Sequence, residues 1–115
     1  MATPIVYKGE TAYILGETEN NATAYSNIQV VVYNRERDVL IAAAMATAAG
    51  YDTSIFRVSD DKEYEVLLRH TVTASAEPGI YTAEAKLLET DSEWATGVAS
   101  IYQNVLMFEL RDAVV

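Results

Sequence analysis

The clearest alternation of apolar and polar positions in the chain runs through residues 77–88. Pro78-Gly79 signals a turn, because proline presets φ and glycine accepts a positive one. Beyond it Tyr81, Ala83, Ala85 and Leu87 alternate with Thr82, Glu84 and Lys86. A period of two with one apolar and one polar face predicts a half-buried strand of an antiparallel sheet. Tyr81 is expected to enter the core just after the corner. Three other segments alternate well: Ile28, Val30 and Val32 inward; Tyr64, Val66 and Leu68 inward with Glu63 and Glu65 outward; Leu106, Phe108 and Leu110 inward with Glu109 outward.

Weaker strands are expected at residues 5–7, 11–15, where both registers carry apolar side chains, and 54–58. β-structure is also expected over 94–100, interrupted by Gly97 as a candidate bulge. Turns are expected at Lys8-Gly9-Glu10, 34–38, 59–62 and 89–93, with a polar loop around Asn20-Asn21 and a connecting segment over 71–76. Residues 39–50 are ambiguous. Val39-Leu40-Ile41 favours strand, whereas the alanines that follow favour helix by intrinsic propensity, with Gly50 as a stop. A strand over 39–44 and an irregular connection is the preferred assignment, and a short helix stays open. Turn signals recur about every 8–12 residues, and no long amphipathic helix interrupts them. The chain is therefore expected to be all-β, an antiparallel β-sandwich of about seven to eight strands in one domain over residues 1–115.

Composition narrows the function classes. Half of the 115 residues are hydrophobic and 22% are charged, which suits a folded core. The net charge of −9 opposes nucleic-acid binding, which needs clustered Lys and Arg, and adsorption to anionic lipid. The start of the chain lacks the basic-then-apolar order of a signal peptide, and no apolar run suits membrane insertion. There is no cysteine, so neither disulfides nor thiolate chemistry arise. Asn21-Ala22-Thr23 matches the N-glycosylation pattern, but an ordinary loop threonine is the simpler reading.

Candidate chemistry is sparse. His70 is the single histidine, and a zinc site around it would need carboxylates for every other ligand. The acidic clusters at 60–63 and 89–93 lack calcium-loop spacing. Glu63, Glu65 and Glu84 alternate with apolar residues and so belong to an outer sheet face, unlike a desolvated glycosidase pair. No nucleophile elbow or phosphate-binding loop occurs, and no catalytic residue, metal or cofactor is expected. Aromatic usage says more. There are eight tyrosines against two phenylalanines and one tryptophan, and Tyr and Trp are enriched at interfaces. Val31, Tyr33, Val105 and Met107 occupy the nominally outward face of two strong strands. If those strands are neighbours, their outer face is apolar and needs a cover. With Trp94 these residues form the candidate interface.

Turn, glycine, tyrosine, one residue and then a small residue is similar to the opening of the sixth strand in immunoglobulin-like domains, where the tyrosine hydroxyl ties the corner to nearby backbone. Tyr81 matches that tyrosine. Ala83 stands where antibody domains have a cysteine, and Val30 or Val32 must fill the volume of the missing tryptophan. More narrowly, Lys8-Gly9-Glu10-Thr11, the run from Leu67 through His70 to Thr73, and Pro78-Gly79-Ile80-Tyr81-Thr82-Ala83-Glu84 resemble phage baseplate upper-protein N-terminal domains; the alanine run departs from that pattern. The resemblance implies an immunoglobulin-like virion or prophage module that self-assembles, found in the virion or in the host cytoplasm during assembly. The expected function is a non-catalytic structural or assembly module acting through protein partners or self-association. The alternative is a glycan- or peptide-binding module of a bacterial cell surface, with Trp94 and exposed tyrosines as stacking platforms.

Overall fold

The computed structural model describes residues 3–90 and 98–113. Alternating apolar residues make its strands, and two sheets bury their apolar faces against each other. The strands are β1 (Ile5–Tyr7), β2 (Ala12–Glu17), β3 (Asn27–Asn34), β4 (Val39–Ala44), β5 (Phe56–Asp60), β6 (Glu63–Leu68), β7 (Gly79–Thr90) and β8 (Val98–Arg111). One sheet has the order β1-β8-β7-β3-β4 and the other β2-β6-β5. This is the immunoglobulin-like arrangement, with the chain crossing between layers rather than closing each in turn. All pairings are antiparallel except that of β1 with β8, which is parallel.

The core is the one the alternation predicts. Ile28, Val30 and Val32 of β3 meet Tyr64, Val66 and Leu68 of β6, with Tyr81, Ala83, Ala85 and Leu87 of β7 alongside. Tyr81 stacks on Phe108 with ring centroids 5.5 Å apart, and its hydroxyl donates to the Glu77 carbonyl at 2.6 Å. That bond closes the corner back onto the turn that precedes it. Gly16 answers the missing bridge and tryptophan. A Cβ there would lie 2.1 Å from the Tyr64 ring, so the phenol fills the space against bare backbone. Phe56 stacks on the other side of that ring, centroids 5.4 Å apart.

The alanine run is a strand, then a connection. β4 pairs with β3 on one edge, and the opposite edge is strapped by Asp52, whose amide donates to the Ala42 carbonyl while its carbonyl accepts from the Ala44 amide. Asn27 anchors the exit. Its Oδ1 accepts from the Ala46 amide at 2.8 Å, and its Nδ2 donates to the Ala46 carbonyl. These backbone partners override the helical preference of alanine.

Three expectations need correction. Residues 71–76, read as a connection, include most of a short helix α1 (His70–Ser75). It is held down by Thr73, buried and hydrogen-bonded to the Gly9 amide and the Glu10 carbonyl, so a lone threonine anchors what periodicity could not show. β5 begins at Phe56 rather than Ser54 and runs to Asp60, because Ile55 is used instead as a core residue of the preceding turn. β7 continues to Thr90, through the start of the turn expected at 89–93; the rest of that turn, Trp94 and Gly97 lie outside the described residues. The polar loop around Asn20-Asn21 also delivers a core residue, since Tyr25 is buried.

Two substitutions test this architecture. Gly16→Ala forces the Tyr64 ring out of its seat and should destabilise by about 1–3 kcal/mol. Tyr81→Phe keeps the ring stack but loses the corner bond and should cost about 0.5–1.5 kcal/mol. Urea unfolding midpoints with unchanged slope would check both.

Candidate functional site

Three surfaces carry the candidate residues. The first is the outer face of the five-stranded sheet. β3 and β8 are not neighbours there: β7 lies between them, pairing with both. One row across the sheet reads Val39, Tyr33, Thr82, Met107; in the next, Val31 stands between Ala42 and Glu84. The continuous apolar face expected of adjacent strands is therefore replaced by a mixed one, because Thr82, Glu84 and Lys86 cut across it. Val39 and Met107 remain 60% and 52% exposed, and Val31 is half-buried. The Tyr33 hydroxyl donates to the Glu84 carboxylate, and the Arg37 guanidinium sits 4.7 Å over the Tyr33 ring. The bond to Glu84 raises the Tyr33 phenol above its ordinary range, since ionising it would set two anions together.

Val105 moves for a separate reason. The β7–β8 register slips between Ala83 and Glu84, so Ala83 faces Leu106 while Glu84 faces Asn104. Val105 is the extra residue of this bulge and packs half-buried against the core instead of standing on the outer face. Trp94 lies outside the described residues; of the other four candidates, Val31, Tyr33 and Met107 share the outer face and Val105 does not.

The second surface follows from the same bulge. The slip turns Gln103 inward, toward the seam where β8 passes β2. Its Oε1 accepts from the Tyr64 hydroxyl at 3.2 Å, and its Nε2 donates to the Glu17 carbonyl at 2.7 Å, so one amide joins both sheets. A hollow of about 400 Å³ opens beside it, lined by Glu17, Thr18, Glu19, Tyr25, Leu87, Tyr102 and Gln103. A second of about 340 Å³ continues past Leu15, Gly16, Glu63, Asn104 and Val105. Tyr102 stands 75% exposed on the rim, with the Lys86 ammonium 5.9 Å from its ring centre. Carboxylates, an amide and an open aromatic ring equip this seam to hydrogen-bond and stack. The hollow's lining pairs no nucleophile with a base. Sequence reasoning missed Gln103 because two adjacent polar residues hide where a bulge falls.

The third surface is the outer face of the smaller sheet. β2 turns Ile14 and Gly16 inward, which resolves the register left open by its composition, and sets Tyr13 and Leu15 outward at 57% and 61% exposure. Leu67 lies across from Tyr13, and Glu65, ion-paired with Arg57, lies across from Leu15. His70 is exposed at the start of α1. Among the described residues no group of three or more His, Cys, Asp or Glu is placed to hold a metal ion, and no helix is long and apolar enough to cross a membrane. No protein-family model matches the chain, and no curated protein matches it.

Burial pushes the Tyr64 phenol up to about 12. A folded-state value above the unfolded value of about 10 means the folded chain keeps a proton that the unfolded chain releases. Stability should hold below pH 10 and fall as the pH rises from about 10 to about 12. The Tyr64→Phe variant should show a shallower fall, measured by urea unfolding along a pH series.

Proposed function

We propose that this chain is a non-catalytic module that works through protein contacts. One observation carries the reading: large apolar side chains stay open on both outer faces of the sandwich, Val39 and Met107 on one and Tyr13 and Leu15 on the other. Beside Val39 stands Tyr33, hydrogen-bonded to Glu84, and across from Leu15 stands Glu65, ion-paired with Arg57, so polar pairs border the apolar groups on each face. The resemblance to baseplate upper-protein N-terminal domains names virion subunits as the partners and assembly as the task; it alone supports that finer part of the reading.

The second reading, a glycan- or peptide-binding module, is favoured by Tyr102. Its open ring stands beside the seam hollow with Glu17, Glu19 and Gln103 in reach as hydrogen-bonding groups. An extended sugar or peptide would stack on the ring and bond to the amide and carboxylates.

Cross-linking of the full chain in the cells that produce it separates the two. The protein-contact reading expects cross-links to defined protein neighbours, lost or weakened in Val39→Glu with Met107→Glu or in Leu15→Glu. An absence of protein cross-links, combined with glycan-array binding abolished by Tyr102→Ala, overturns it in favour of the second.

A further inference from the structure

Every sheet edge exposes backbone groups that invite another strand, and proteins blunt their edges accordingly. In the larger sheet β1 is three residues long and follows Pro4, and β4 is strapped by Asp52. In the smaller sheet β5 carries Arg57, Ser59 and Asp60. β2 has such protection only at its end, where Glu17 is charged and its carbonyl is taken by Gln103. From Ala12 to Gly16 it has no charge, no proline and no bulge, and among the described residues its one strand neighbour is β6.

The direction of its free groups follows from the ladder. In an antiparallel pair the N–H and C=O of one residue face the partner, and those of the next face away. The Thr18 amide donates to the Lys62 carbonyl, one step beyond the Glu17–Glu63 pair. Even-numbered residues of β2 therefore bond to β6, and Tyr13, Leu15 and Glu17 present their backbone to the open side. The Glu17 carbonyl agrees, since Gln103 takes it from that side. Tyr13 and Leu15 thus carry both the free backbone groups and the exposed apolar side chains.

We propose that this edge docks a second copy of the same chain, β2 against β2 and antiparallel, with Tyr13 of each copy opposite Leu15 of the other. The inference rests on the protein-contact reading and names its partner. The register centred on Ile14 is self-complementary. It engages the free amides and carbonyls of Tyr13 and Leu15 and leaves the Glu17–Gln103 bond intact. It also makes two aromatic–aliphatic cross-strand pairs and joins two three-stranded sheets into one. It sets Glu17 opposite Thr11 of the second copy, so no carboxylate on the paired edge opposes another. An uncharged segment is where two chains of net charge −9 meet at least repulsion. An edge contact is small, so the dimer is weak, and screening of the remaining repulsion strengthens it with salt.

Sedimentation velocity of the full chain over a concentration series at low and high salt, with amide hydrogen exchange at each concentration, tests this. The expected result is a dimer that grows with concentration and salt. The amides of Tyr13 and Leu15 become protected as it forms, whereas those of Ile14 and Gly16 are protected throughout. Leu15→Pro removes an amide that β6 does not use, and Tyr13→Lys leaves the backbone intact; each should weaken the dimer about tenfold or more. A chain monomeric at every concentration overturns the proposal, as does a dimer in which the Tyr13 and Leu15 amides exchange equally fast throughout or which neither variant weakens. In the latter cases protein contact survives on another surface, and in the first it is judged by the cross-linking above. Protection of the same amides only when a different protein is cross-linked there assigns the edge to that protein and overturns self-pairing.

Discussion

The sandwich depends on how the space between its sheets is filled without a disulfide or a tryptophan on β3. Tyr64 fills it. Its ring lies against Gly16, where any side chain would collide, and is backed by Phe56. A buried phenol needs a partner for its hydroxyl, because an unpaired polar group in an apolar layer costs about 1–3 kcal/mol. The β8 bulge supplies one by turning Gln103 inward, and the same amide reaches across to β2. Glycine, tyrosine, bulge and glutamine are thus one solution to one packing problem.

Much of this fold was legible in the alternation of residues, and the reason is physical. Where one face is buried and the other wet, side-chain period and burial coincide, so the inward residues of β3, β6 and β7 could be named from their spacing. Tyr81 was legible because a turn followed by a tyrosine is a compact local device. What could not be read depends on contacts made at a distance. Helix α1 hangs on the hydroxyl of Thr73 meeting the turn at Gly9, and Tyr25 is buried by elements remote in sequence. The alanine run was undecided until backbone partners at Asp52 and Asn27 were in place.

The candidate surfaces were less legible than the core. Val31, Tyr33 and Met107 do face outward, but their significance turned on which strand lies beside which. β7 between β3 and β8 breaks their face with Thr82, Glu84 and Lys86. Val105 was misplaced by the bulge, and Tyr13 and Leu15 were hidden by a strand apolar in both registers. Neighbour order and register are properties of the sheet, and a single strand's pattern does not encode them.

Closing the two layers with a phenol and an amide has a consequence beyond packing. A sandwich held across its middle by sulfur loses that hold when thiol reductants are abundant. This one contains no group that glutathione or oxygen can alter at that position. Its resistance to unfolding should therefore not depend on the thiol–disulfide balance of its surroundings.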